Sequence, residues 1–152
     1  MRLSREDFSR IIALTPLVSM DLLVTRPDGH MLVGWRTNRP AQHHWFAPGG
    51  RILKGETRAE AFARLTETEL GARFELSECP LAEVYEHLYD DNTFGDADYG
   101  THYVVLAHLV RVDERFVPKA DDQHTEWRWI SRDELVNDPA VHHYTRNYGR
   151  NI

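Results

Sequence analysis

The sequence has a single cysteine, Cys79, in 152 residues, which excludes an intramolecular disulfide framework and a cysteine-rich zinc site. It has no stretch of about 18 consecutive apolar residues, the length that a membrane-spanning helix requires. Its opening segment, MRLSREDFSR, has no long apolar run ahead of a small-residue cleavage site. A reducing, cytoplasmic setting without a membrane partner is therefore expected. No block of Lys or Arg is present and the formal net charge is -6, which argues against broad contact with nucleic acid. A small anionic ligand held by local arginines suits the chain better. Repeats, low-complexity tracts and Gly/Ser linkers are missing as well. Residues 1–152 are thus expected to form one domain, of a size that buries about 70% of its unfolded surface.

What is present is a succession of turn signals and short periodic segments. Ser4 can cap a helix running to about Ala13, with Glu6 and Asp7 in its first turn and Phe8, Ile11 and Ile12 as an apolar stripe; Pro16 ends it. Leu17 to Val24 and Met31 to Trp35 read as strands joined through Pro27, Asp28 and Gly29, which favour a tight reversal. Phe74 to Leu76, Ala82 to Tyr89, His102 to Val112 and Glu126 to Ile130 are further strand candidates. Ser131 and Glu134 have capping-box spacing, and the tail from Pro139 to Tyr148 reads as helical. Mixed strands with a few helices packed on them give an α+β sandwich.

The segment Gly50 to Ala72, GRILKGETRAEAFARLTETELGA, carries the most chemistry. Thr57 and Glu60 form a capping box that starts a helix at about Arg58, and Gly71 stops it after Leu70. Ala59, Phe62, Ala63, Thr66 and Leu70 make the buried stripe, with Glu67 and Glu69 on its opposite margins. A carboxylate held at the margin of a packed helix can ligate a cation that also takes phosphate oxygens, and Glu69 is the candidate. Pro48, Gly49, Gly50 and Arg51 let the backbone approach a ligand closely, offering a carbonyl to a metal and a guanidinium to phosphates. Glu56 reads as a salt-bridge partner of Arg64 that ties loop to helix. The plainer reading of the same helix is a solvated acidic face.

The segment resembles the GX5EX7REUXEEXGU box of the Nudix hydrolases at Gly50, Glu56, Arg64, Glu69 and Gly71, while Leu65 and Thr68 replace two of its glutamates and Thr66 and Ala72 fit its bulky apolar positions weakly. Together with TPLVSMDLLV, RTNRPAQ, WFAPGGR, YDDN, THYVV and DQHTEWRW, these departures make nearly the whole chain look like the GDP-mannose mannosyl hydrolase group of that family. The resemblance implies a Nudix-type α/β/α sandwich with a mixed central sheet. It also implies water attack on the anomeric carbon of a nucleotide sugar, releasing GDP, instead of cleavage of the diphosphate.

By position, the resemblance makes the carbonyl of Gly49, the carboxylate of Glu69 and the side-chain oxygen of Gln123 the protein ligands of one Mg²⁺, for which Mn²⁺ can substitute. It makes His124 the general base, since imidazole can accept a proton from water near neutral pH. It makes Arg36 and Arg51 the leaving-group arginines, with Tyr103 and His87 hydrogen-bonding nearby, and allows Arg64 to assist. Asp21 shares a strand face with Leu17, Ser19 and Leu23, so it is either paired or functional, and we take it as functional. Leu3 and Phe8 are implied to hold the guanine base, and a homodimer is implied in which the neighbouring subunit contributes to binding. His43, His44, His142 and His143 read as surface or core residues. Single displacement opposite the leaving group implies inversion.

Two other classes stay open. One is a Nudix phosphoanhydride hydrolase acting on ADP-ribose or another nucleotide sugar, and the other is a non-catalytic nucleotide-sugar sensor. GDP-glucose remains a possible second substrate.

Overall fold

Alternation along the strand Leu17–Thr25 (β1) decides the architecture. Met20, Leu22 and Val24 point to one side and are fully buried, whereas Ser19, Asp21 and Leu23 point to the other and are buried as well. A strand covered on both faces must lie inside a sheet with layers above and below it. The computed structural model, which describes residues 2–119 and 124–152 with the backbone alone at 124 and 125, has that arrangement.

The described elements follow in order: α1 (Arg5–Leu14), β1, β2 (Met31–Arg36), β3 (His44–Phe46), β4 (Gly49–Arg51), α2 (Arg58–Leu70), β5 (Leu81–Tyr89), β6 (Thr101–Arg111), β7 (His124–Ile130), α3 (Arg132–Asn137) and α4 (His143–Arg146). Among the described residues the sheet has seven strands with the order β3-β2-β1-β6-β5, while β4 pairs with β1 and β7 with β2. β1 and β6 run parallel from Leu17↔Tyr103 to Thr25↔Arg111, and the other pairings are antiparallel. The sheet is therefore mixed, and the fold is the α/β/α sandwich expected of the sequence. Among the described residues no helix is long and apolar enough to cross a membrane.

α2 supplies one layer. Its Phe62, Leu65 and Leu70 pack with Met20, Leu22 and Val24 in one cluster, and burying each such side chain stabilises the fold by about 1.5–3 kcal/mol. The helix starts where the sequence places it, because Thr57 accepts from Glu60 N and Glu60 returns the bond to the Thr57 amide. It ends at Gly71, whose φ of 76° is the left-handed C-cap conformation. The opposite layer comes from the C-terminal segment, where Leu135, Val141 and Tyr148 pack with Leu23, Phe46 and Tyr85.

Three expectations need correction. Ala59 is exposed and not part of the buried stripe of α2, where Ala61 and Leu65 are buried instead. Phe74 to Leu76 is no strand: Leu76–Glu78 forms a 3-10 turn, and Phe74 sits edge-on to Phe116 at 6.1 Å while its amide is taken by the buried Thr66 hydroxyl at 3.0 Å. The helical tail begins later than Pro139, because His142 N is bonded to Trp45 O at 2.9 Å and Val141 bridges Trp45. Helix starts only at His143, followed by a 3-10 turn over Asn147–Arg150. The β1–β2 reversal is as expected, with Gly29 at φ 83° and Asp28 accepting from His30 N at 3.0 Å.

Candidate active site

On the odd-numbered face of β1 the sheet opens into a cleft of about 210 Å³, lined among others by Phe8, Asp21, Arg36, Gly49, Arg51, His87 and Tyr103. Seven positions singled out from sequence thus meet in one place, drawn from α1, β1, β2, β4, β5 and β6. Pairing explains the convergence. Asp21 is opposite Gly49 and Ser19 opposite Arg51 across β1–β4, Leu17 lies beside Tyr103, and His87 is opposite Tyr103 across β5–β6.

Asp21 is only 6% exposed. Burial pushes its carboxyl up to about 7, although a hydrogen bond from Tyr148 and the charge of Arg36 both pull it down. The Tyr148 hydroxyl donates to Asp21 Oδ2, so Asp21 is both paired and at the cleft. Gly49 lets this carboxylate sit where it does: a Cβ there would stand 2.6 Å from Asp21 Oδ1 and against the Met20 carbonyl.

Two cations face this carboxylate region. Arg36 is held by a hydrogen bond from its Nε to Pro40 O at 2.5 Å. Arg51 lies over the Phe8 ring, 4.4 Å from its centroid, and Phe8 in turn meets the edge of Phe94 at 5.9 Å. His87 is 2% exposed and burial lowers it to about 4, so its ring is neutral across the physiological range. Its Nε2 is buried without a hydrogen-bond partner among the described residues, which suits a bond to a ligand. The ring is fixed by parallel stacking on Tyr144 at 4.1 Å. The Tyr144 hydroxyl donates to Leu88 O and accepts from Leu88 N, both at 2.8 Å. Burial also raises the Tyr103 phenol, keeping it a neutral donor.

The box helix lies on the other side of β1. Arg64 Nε meets Glu56 Oε1 at 2.5 Å, Arg64 also reaches Arg51 O at 3.0 Å, and Glu56 accepts from Leu53 N at 2.9 Å. The pair ties loop to helix as the sequence suggests, and the guanidinium holds Glu56 below the usual carboxylate range. Leu65, where the common box has glutamate, is 2% exposed. A Cβ on Gly50 would come 2.6 Å from its Cδ2. Thr68, at the other altered position, is exposed.

Glu69 is 4% exposed in the last turn of α2, a turn with no basic residue. The negative end of a helix dipole favours a cation near such a carboxylate. Carbonyl and carboxylate oxygens such as those of Gly49 and Glu69 fit Mg²⁺ or Mn²⁺ by type. Among the described residues no group of three or more His, Cys, Asp and Glu could hold a metal ion by itself.

Gln123 lies outside the described residues, and His124 is described by its backbone, which opens β7 opposite Arg36. Leu3 is half-buried just ahead of the α1 cap, and neither it nor Glu69 is among the cleft's lining residues. His142 and His44 meet edge-on at 5.2 Å, and His142 also packs on Phe46, a lining residue of the cleft, at 5.3 Å. The sequence reading missed Tyr148, Tyr144 and Tyr89. The first two act from a C-terminal segment whose sequence has no motif, and Tyr89 lines the cleft from the end of β5.

The sequence matches the family described as NUDIX domain over residues 15–150. It is 36% identical over 125 residues to the low-salt glycan biosynthesis protein Agl8 of Haloferax volcanii, covering 82% of this chain and 77% of that one. A MutT NUDIX hydrolase from Burkholderia pseudomallei superposes with a TM-score of 0.71 at 28% identity, covering 91% of this chain and 98% of that chain. A MutT protein from Methanosarcina mazei Go1 gives a TM-score of 0.72 at 19% identity, with 89% and 91% covered.

Proposed function

Because the chain belongs to the Nudix family of hydrolases, we propose that it hydrolyses GDP-mannose, and GDP-glucose as a second substrate, to GDP and the free sugar. Water attacks the anomeric carbon and inverts it. The observation that carries this reading is the burial of Leu65 against Gly50. A position that is a glutamate in the common box is committed to the core, while the titratable and cationic groups gather on the opposite face of β1. Fewer carboxylates around the diphosphate leave weaker means of activating water at phosphorus. Two arginines at one cleft suit a diphosphate that departs as an intact leaving group. The 36% identical relative named for glycan biosynthesis supports a sugar-containing substrate.

In this reading Arg36 and Arg51 grip the diphosphate, and Phe8 with Leu3 holds the base. His87 Nε2 and the Tyr103 hydroxyl bond to the substrate beside the leaving oxygen. His124, whose backbone is paired with that of Arg36, takes the proton of the attacking water, and Asp21 fixes the polar groups at the cleft floor. Gly49, Glu69 and Gln123 would hold one Mg²⁺, which when bound supplies positive charge that stabilises the developing diphosphate. The protein would act in the cytoplasm as a homodimer.

Product analysis tests the reading directly. GDP and mannose are expected, with ¹⁸O from labelled water in the sugar and the β-anomer formed first from an α-linked substrate. GMP with mannose 1-phosphate, and label in phosphate, would overturn it in favour of phosphoanhydride hydrolysis. Binding without turnover under saturating Mg²⁺ would identify a sensor.

A further inference from the structure

Tyr148 is fully buried, and its hydroxyl reaches across 127 positions of sequence to Asp21 Oδ2. Its ring meets the edge of Tyr85 at 5.0 Å. The 3-10 turn that carries it, Asn147–Arg150, is fixed from several sides. Gly149 presses on Val136 so closely that a Cβ would clash, Arg150 pairs with Glu83, and the Tyr85 hydroxyl donates to Asn151 just beyond. The phenol therefore has one orientation, and it is spent on a carboxylate that lines the cleft. A buried carboxylate needs donors. A donor on a rigid turn also selects which rotamer the carboxylate adopts.

We propose that Tyr148 is a positioning residue of this site: its hydroxyl holds one oxygen of Asp21 so that the other stays beside Gly49 at the floor of the cleft. The inference rests on the reading of Asp21 as a working group of that cleft. It assigns the C-terminal turn a part in turnover beyond packing. Tyr148 touches no substrate and acts only through Asp21, so its effect belongs in kcat and not in KM.

A double-mutant cycle tests this with GDP-mannose. Tyr148→Phe keeps the ring and its packing and removes only the hydroxyl, so kcat is expected to fall about tenfold, the size of a charged hydrogen bond, with KM changed less than about twofold. In an Asp21→Ala background the same substitution is expected to change kcat by less than about twofold, because no side-chain oxygen remains at that position to accept from the phenol. Unchanged kcat in Tyr148→Phe, a loss confined to KM, full additivity in the double variant, or unchanged kcat in Asp21→Ala would each overturn the proposal. The identity of the products reports separately on the reaction. The cycle can be read on GDP and mannose or on GMP and mannose 1-phosphate alike, so failure of the positioning role is distinguishable from failure of the proposed chemistry.

Discussion

The guanidinium of Arg51 lies 4.4 Å from the centroid of the Phe8 ring, so α1 and β4 build one wall of the cleft between them. Stacking of this kind contributes about 0.5–2 kcal/mol depending on how well water is excluded. It also holds the arginine where a diphosphate would meet it. Phe8→Leu keeps the apolar bulk and removes the aromatic face. Calorimetric titration with GDP is expected to show binding weakened about 3- to 10-fold. Unaltered affinity would detach Phe8 from ligand binding.

The buried titratable groups predict a particular response to acid in the metal-free protein. Burial lowers His87 from 6.5 to about 4, and burial together with neighbouring positive charge lowers His142 from 6.5 to about 3. Below pH 6.5 the unfolded chain takes up two protons that the folded chain refuses. This stability is complete above 6.5 and is lost as the pH falls through about 4. Asp21, raised from 3.8 to about 7, works in the other direction. Its contribution is complete below 3.8 and is lost as the pH rises through 7. Between those limits two histidines outweigh one carboxylate, so the melting temperature should fall from pH 6.5 to pH 5. Asp21→Asn should steepen that fall. A melting temperature that rises on acidification would contradict the assignment.

His43 is exposed and adopts φ 63°, a left-handed conformation that costs a side-chain-bearing residue about 1–2 kcal/mol. Glycine removes this penalty while adding some unfolded-state entropy. His43→Gly should therefore raise stability in urea by about 0.5–1 kcal/mol with turnover unaffected. Lost activity would show that the sequence reading of His43 as a surface or core residue was mistaken.

Gly49 and Gly50 are adjacent, but alanine should not be tolerated equally at the two. At Gly49 the new methyl would meet the Met20 carbonyl and Asp21, backbone and a fixed carboxylate that have nowhere to go. At Gly50 it would meet the tip of Leu65, which can turn. Gly50→Ala is expected to cost about 1–3 kcal/mol in urea unfolding, within the usual range for overpacking, and Gly49→Ala more than that. The opposite order would mean that β4 is free to move away from β1.

The parts of this molecule that the sequence displayed are those governed by near neighbours. Thr57 with Glu60, Ser131 with Glu134 and Gly71 are caps whose partners lie within three or four residues, and each lies where its spacing puts it. β3 and β4 escaped notice because three residues containing glycine, or lying next to a turn, have no alternation to read. They form only by pairing with stretches of β2 and β1 that lie elsewhere in the sequence. Phe74 looked like a strand residue by type, yet the Thr66 hydroxyl captures its amide. Arg36, His87 and Tyr103 were found through the family's pattern and Asp21 through its parity on the strand, while Tyr148 depends on a contact that no local window contains.

β5 is the last strand on its side of the sheet, and an exposed edge is a template for another chain to add a strand. At Leu88 that template is already filled: the Tyr144 hydroxyl occupies both the amide and the carbonyl, as a neighbouring strand would. Leu88 itself is 60% exposed, an apolar side chain that would favour such an addition. The ring that steadies His87 therefore also guards against aggregation. Damage to the C-terminal segment would lower solubility along with activity.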